Sequence, residues 1–191
     1  AAFKDGRPVY RPVMHAFVRG IPGAVVTFPT GNAPKLWLSS EDEIEAGGGE
    51  NGMWRPPVHT CTTCGQHYYV TFLKDFRFTR AEPDGGQLAE GGEAYWEAVD
   101  KDHGGMRLVL VDQVINQDAE EDLGEEAWSH ALYFCRHCGS AHPREFARCQ
   151  SCGAVSPSVR LYAIRSTEKS PGFLASCISC GARGKRMGQR Y

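Results

Sequence analysis

Every cysteine of this chain belongs to a Cys-x-x-Cys-Gly unit. The four units are Cys61-Thr-Thr-Cys64-Gly65, Cys135-Arg-His-Cys138-Gly139, Cys149-Gln-Ser-Cys152-Gly153 and Cys177-Ile-Ser-Cys180-Gly181. Two intervening residues let both sulfurs turn to one side and share an ion. Glycine after the second cysteine tolerates the positive φ that so tight a knuckle needs. Backbone N–H groups then point at the sulfurs and stabilise thiolates. Two units complete a tetrahedral four-sulfur site, with Zn–S near about 2.3 Å. The sequence therefore predicts two structural zinc ions per chain. Their ligands are Cys61, Cys64, Cys135, Cys138, Cys149, Cys152, Cys177 and Cys180. Thiolate fills all four positions of each ion and leaves none for water, which argues against a catalytic metal.

Other cysteine chemistries fit less well. A thioredoxin-type site is a single CxxC at the start of a helix in a βαβ context. A secreted disulfide framework rarely repeats CxxC four times, and no secretion signal is visible. Iron–sulfur clusters also use four thiolates and stay open at this point. Three pairings of the units are open. The nested one joins Cys135/Cys138 to Cys149/Cys152 in a rubredoxin-type ribbon over residues 131–156, and by elimination joins Cys61/Cys64 to Cys177/Cys180. Its short inner loop carries the smaller closure entropy, although that term grows slowly with length. Sequential and crossed pairings are the alternatives. His67 and His137 are near enough to replace a cysteine, but eight cysteines already fill two sites. His137 and Arg136 are expected to point outward from their knuckle.

Between the knuckles the sequence is β-like. Residues 9–28 mix β-branched and aromatic residues with Pro and Gly turns and predict two short strands, with a third at 36–40. Residues 58–78 read as strand, knuckle, strand, with Tyr68, Val70 and Phe72 alternating against Tyr69, Thr71 and Leu73. "MRLVLVDQVI" (106–115) and "RLYAIRS" (160–166) predict further strands. The Gly-rich acidic stretches 41–52 and 80–92 read as exposed loops. Residues 117–131 either start a short helix, with Trp128 and Leu132 meeting at i, i+4, or form a solvated loop. The expected fold class is mainly β, α+β at most. An N-terminal β segment (1–57) precedes a zinc-binding region (58–191). With 22 glycines in the chain, zinc is expected to supply much of what holds so loop-rich a polypeptide together.

Charge is segregated along the chain. The net charge is -2, yet residues 1–134 hold 11 Lys/Arg against 21 Asp/Glu, and residues 135–191 hold 10 against 2, a balance of +8. A basic block of that size often faces phosphate. Each four-thiolate zinc carries a formal -2 and takes back part of the excess. The candidate nucleic-acid contacts are Arg136, Arg144, Arg148, Arg160, Arg165, Arg183, Lys185, Arg186 and Arg190, with Tyr191 or Phe173 available to stack on a base. The alternative for the last segment is a solvated tail.

Several function classes find no support. The sequence contains no G-x-x-x-x-G-K-[ST], no H-E-x-x-H and no G-x-S-x-G, so the chain alone is not expected to be an enzyme. No apolar run approaches the roughly 18 residues of a membrane helix. With no signal-peptide core visible either, the expectation is a cytoplasmic protein without a membrane partner. The chain begins with Ala rather than Met and reads as a piece of a longer protein.

The stretch "HAFVRGIPG" (His15 to Gly23) resembles the H-x-F-x-R-x-x-x-G segment that leads into the cysteine-rich region of certain large superfamily 2 DNA helicases. "VHTCTTCG", "LYFCRHCG", "RCQSCG" and "LASCISCG" are similar to the CxxCG knuckles that follow the two motor domains in bacterial DEAD/DEAH-box helicases with a carboxy-terminal zinc-binding domain. That group includes repair helicases and the helicase subunits of DISARM-type phage defence. The resemblance implies an accessory zinc module of an ATP-driven DNA translocase, with the motors outside this chain. It would grip DNA or dock on the motor domains of the same polypeptide. The eight cysteines match the family's metal ligands. After Gly23, however, the chain reads "AVVTFPTG" with no further cysteine, and its acidic loops are longer than a compact finger needs. An architectural interaction module with structural zinc and no nucleic-acid contact is the alternative.

Overall fold

The computed structural model describes residues 3–4, 7–8, 23–31, 33–39, 41, 53–78, 83–114, 128–164 and 172–183. The residues predicted as a strand before Gly23, the acidic stretch 42–52, residues 115–127, Arg165 and the last eight residues lie outside them. The protein is almost entirely β. Strands β1 (Phe3–Lys4) and β2 (Arg7–Pro8) pair with each other, as do β3 (Val25–Thr27) and β4 (Lys35–Trp37). Then follow β5 (Val58–Thr60), β6 (His67–Leu73), β7 (Phe76–Phe78), β8 (Pro83–Gly85), β9 (Gln87–Leu88), β10 (Ala94–Tyr95), β11 (Met106–Val111), β12 (Trp128–Phe134), β13 (Ala141–His142) and β14 (Val159–Ile164). The helical element described is one turn of 3-10 helix, Lys101–His103, and Glu41 is helical as well.

Six strands make the central antiparallel sheet, in the order β13-β12-β14-β11-β6-β5. Alternation sends successive side chains to opposite faces. One face carries Tyr69, Leu73, Leu108, Leu110, Leu132, Phe134, Leu161 and Ala163, and it buries them against Val26, Phe28, Phe76 and Trp96. The other face carries Tyr68, Val109, Val111 and Ile164, covered by Leu174, Ile178 and Ala182 from the segment after β14. Burial on both sides is why "LVLV" in β11 is continuously apolar rather than alternating.

From residues 1–57, Val26, Phe28 and Trp54 share this core. Val58 N–H donates to the Ala24 carbonyl at 2.9 Å and Val26 N–H to that of Pro56 at 3.1 Å. Trp54 stacks on Phe134 with centroids 5.0 Å apart, and on Phe28 at 5.7 Å.

Two local expectations are corrected. Where residues 117–131 suggested a helix reaching Trp128 and Leu132, the chain from Trp128 onward is strand β12. It pairs with β14 through Ala131–Tyr162 and Leu132–Leu161. The sheet offers Leu132 and Phe134 complete burial at a spacing of two, which a helix would split between faces. Within 80–92, the exposed loop is instead built into two ladders, β7 with β8 and β9 with β10. Within this loop Asp84, Leu88 and Glu90 stay in solvent, Leu88 at 76% exposure, while Pro83, Gln87 and Ala89 are half-buried. Its backbone is fixed by Gly86, which has φ +81° and packs where a Cβ would lie 2.6 Å from the Trp96 ring.

Candidate metal centres

Each cysteine unit folds into the same knuckle. The N–H of the first cysteine donates to the carbonyl five residues on: Cys61 to Gln66, Cys135 to Ser140, Cys149 to Ala154 and Cys177 to Ala182, at 2.8–2.9 Å. The glycine N–H returns to the carbonyl of the first cysteine, from Gly65, Gly139, Gly153 and Gly181, over the same range. All four glycines have positive φ, between +68° and +82°. That turn is one an L side chain rarely adopts, so the recurrent glycine is a backbone requirement.

The fold then brings the knuckles together in pairs. The first closes the β5–β6 hairpin, and the second closes β12–β13. The third lies between Arg148 and Val155, which form an isolated bridge. The fourth sits on the segment that covers the second sheet face. The pairing is nested. Cys135, Cys138, Cys149 and Cys152 form the inner group, while Cys61, Cys64, Cys177 and Cys180 form the outer one. Sulfurs approach to 3.6 Å for Cys138–Cys149 and 3.7 Å for Cys135–Cys152. In the outer group the values are 3.6 Å for Cys64–Cys177 and 3.8 Å for Cys61–Cys180.

These separations discriminate between chemistries. A disulfide would bring two sulfurs to about 2.05 Å. Four sulfurs at about 2.3 Å from one tetrahedral ion stand about 3.8 Å apart along each edge. Within each group all four sulfurs lie within 4.8 Å of one another. Four thiolates so close would repel strongly without a cation among them, so donor type, number and spacing all fit a single metal ion. The protein thus carries two four-cysteine metal centres on a β scaffold.

Burial is graded in both centres. Cys61, Cys135, Cys149 and Cys177 are buried, Cys64 and Cys138 half-buried, and Cys152 and Cys180 exposed. Hydrogen bonds with Cys135, Cys149 and Ser140 hold the Cys138 thiol well below the usual range, while Cys135 and Cys138 push Cys149 far up. At Cys61, burial works upward, but N–H groups of Cys64 and Thr63 draw the thiol down to about 7.

Around the sulfurs stand polar groups that the sequence reading did not pick out. Buried Tyr68 donates its hydroxyl to Cys177 Sγ at 3.0 Å and accepts from Ile178 N–H at 3.1 Å. In the inner centre, Ser140 Oγ lies 3.1 Å from Cys138 Sγ and His142 Nε2 lies 3.6 Å from Cys149 Sγ. Gln66, fully buried, donates to the Gln113 carbonyl at 2.8 Å and ties the first knuckle to the end of β11. Alternation is the only sequence signal for Tyr68, since it faces the side opposite Tyr69. Neither His67 nor His137 belongs to a sulfur group.

The candidate basic residues separate. Arg136 does not point outward from its knuckle. Its Nε donates to the Pro157 carbonyl at 2.7 Å and its guanidinium to those of Phe28 and Pro29, so three backbone carbonyls converge on it. Arg144, Arg148, Arg160 and Arg183 are exposed. Arg165, Lys185, Arg186, Arg190 and Tyr191 lie outside the described residues. Phe173, expected to offer its ring to a base, has the Arg107 guanidinium 4.4 Å from its centroid. Arg107 also donates to the Gly172 carbonyl. It therefore clamps the segment after β14 to the sheet, a role its place in an apolar run conceals.

Comparison with family models, curated proteins and solved structures finds no match for this chain. Among the described residues, no helix is long and apolar enough to cross a membrane.

Proposed function

We infer that the chain is a zinc-stapled accessory module of an ATP-dependent DNA helicase, contributing nucleic-acid binding beside motor domains carried elsewhere on the same polypeptide. The helicase setting rests on the resemblance of His15–Gly23 and the four knuckles to that family. Zinc is the ion of choice because a redox-inert tetrahedral dication suits four thiolates with no open position. The observation that carries nucleic-acid binding is the exposure of Arg144, Arg148, Arg160 and Arg183, with Glu145 the one acidic residue described from 135 onward. Cations held on a metal-braced scaffold meet phosphates without first being ordered.

The test is a binding titration of the metal-loaded chain with DNA over a range of salt. Each neutralised phosphate contributes a slope of roughly -0.7 to -0.9 in log K against log salt. A flat response removes DNA binding. It favours the second reading, an architectural module, which predicts co-purification with the motor domains in the absence of DNA. Elemental analysis is expected to return two zinc ions per chain.

A further inference from the structure

A nitrogen donor stands beside the four sulfurs of the inner centre. His142 lies on β13, just after the knuckle of Cys135 and Cys138, and is paired with Tyr133 of β12. Its neighbour Ala141 exchanges two backbone hydrogen bonds of 2.9 Å with Trp96, so β13 is held from both sides. The imidazole is buried at 3% exposure. The Phe146 ring centroid lies 4.1 Å from it and the Tyr95 ring centroid 5.9 Å. Its Nε2 is 3.6 Å from Cys149 Sγ.

That distance has a meaning in metal chemistry. With zinc–nitrogen near about 2.05 Å and zinc–sulfur near about 2.3 Å, an imidazole nitrogen and a thiolate sulfur on one tetrahedral ion stand about 3.6 Å apart. An N–H···S hydrogen bond spans a similar distance. The ring can therefore serve a thiolate while four sulfurs hold the ion, and bind the ion itself when one sulfur is gone.

The sulfur open to replacement is that of Cys152. It is the exposed ligand of its group, whereas Cys135 and Cys149 are buried and Cys138 is half-buried. Removing it leaves Cys135, Cys138 and His142 on the β12–β13 hairpin, with Cys149 beside the ring. Cys138 is not replaceable in this way, because its knuckle turns the chain from β12 into β13 and so places His142. The outer centre is built differently. The hydroxyl against its sulfurs belongs to Tyr68, and a phenol is not among zinc's usual protein donors.

We propose that His142 is a reserve ligand of the inner metal centre, taking the place of Cys152 when that sulfur is lost. The bond from Cys152 Sγ to the ion breaks and one from His142 Nε2 forms, through the ring's lone pair, with the ring proton on Nδ1. Four cysteines become three cysteines and one histidine, another closed structural set for zinc, and the site loses one negative charge. The ribbon carrying Arg144 and Arg148 keeps its shape without its exposed sulfur. The inference rests on the metal reading above and adds one residue to the eight cysteines.

The experiment measures metal content and X-ray absorption at the edge of the bound metal, on the full chain as purified. Wild type is expected to hold two ions, one in each sulfur group, with sulfur as the donor. Cys152→Ala should still hold two and show imidazole scattering that wild type lacks. Cys152→Ala/His142→Phe should hold one. His142→Phe alone, which keeps an aromatic ring against Phe146 and Tyr95, should hold two. Cys180→Ala, the matching change at the exposed cysteine of the outer group, should hold one. A single ion in Cys152→Ala, or two in the double variant, overturns the reserve ligand and leaves the two centres standing. Two ions in Cys180→Ala do the same, by showing that a missing exposed sulfur needs no substitute from the protein. Should His142→Phe not fold, the imidazole signal of Cys152→Ala decides alone, and its absence overturns the proposal. Wild type without metal overturns the centres and the reserve ligand together.

Discussion

Tyr68 donates its hydroxyl to Cys177 Sγ across 3.0 Å, and the two residues lie 109 positions apart in sequence. The same oxygen accepts the N–H of Ile178, so one phenol orients both a sulfur and the backbone of its knuckle. Groups in this position tune metal affinity by about 10- to 100-fold. Tyr68→Phe is therefore expected to speed loss of one of the two metal ions to a competing chelator by at least about ten-fold. Release from the inner centre should be unchanged. A colorimetric chelator assay that follows both ions resolves the two phases.

The centres differ in what they fasten. The inner group is closed by neighbouring hairpins, whereas the outer one ties the β5–β6 hairpin to residues 172–183. Cys64→Ser should free that segment, uncovering Val109, Val111 and Ile164, while β12, β13 and the inner metal persist. Hydrogen exchange is expected to rise in 172–183 and along β11, with one metal ion retained. Cys138→Ser should instead disorder 135–156 and spare the outer ion. Loss of both ions from either single variant would show that the centres fold as one unit. Metal binding of this kind contributes on the order of 10 kcal/mol in small zinc domains, so neither variant is expected to melt near the wild-type temperature.

How far the sequence carried these conclusions depended on the range of each interaction. The knuckles were legible because everything that makes them lies within six residues: two cysteines, a glycine and two backbone hydrogen bonds. Strands β6, β11 and β14 were legible from alternation or from unbroken β-branched runs. Trp128 and Leu132 misled because a spacing of four fits one face of a helix, whereas the chain here is a strand whose register shifts between Trp128 and Ala131. Arg136 misled because the carbonyls that capture it belong to Phe28, Pro29 and Pro157, two of which lie more than 100 residues away. Sheet order and the Tyr68–Cys177 contact have the same character. They depend on which distant segments meet, and a local pattern does not encode that.

The four knuckle glycines are not equivalent. At Gly153 an added Cβ meets nothing within 4 Å, so Gly153→Ala suffers only from positive φ, about 1–2 kcal/mol. At Gly139 the Cβ would fall 2.3 Å from Trp54 Cδ1. Trp54 is stacked on both Phe28 and Phe134, contacts its withdrawal would break. Overpacking adds about 1–3 kcal/mol there. Gly139→Ala should melt several degrees below Gly153→Ala, and equal melting temperatures would contradict the tight seating of Trp54.

Arg136 and Arg144 provide a pair in which charge is removed equally and structure unequally. Arg136→Gln withdraws donors from the Phe28, Pro29 and Pro157 carbonyls and loosens the second knuckle from the segment before β4. Its expected effect is a loss of about 1–3 kcal/mol in stability, with the salt dependence of DNA binding unaltered. Arg136→Lys should not rescue it, because an ammonium lacks the planar fork that reaches carbonyls on two sides. Arg144→Gln, at an exposed position, should leave the melting temperature unchanged and flatten the salt slope by up to about one contact. Chemical denaturation and anisotropy titrations on the same two variants decide the matter. If Arg136→Gln flattened the slope while stability held, its guanidinium would have to leave those carbonyls for phosphate, and the brace between knuckle and hairpin would not exist in solution.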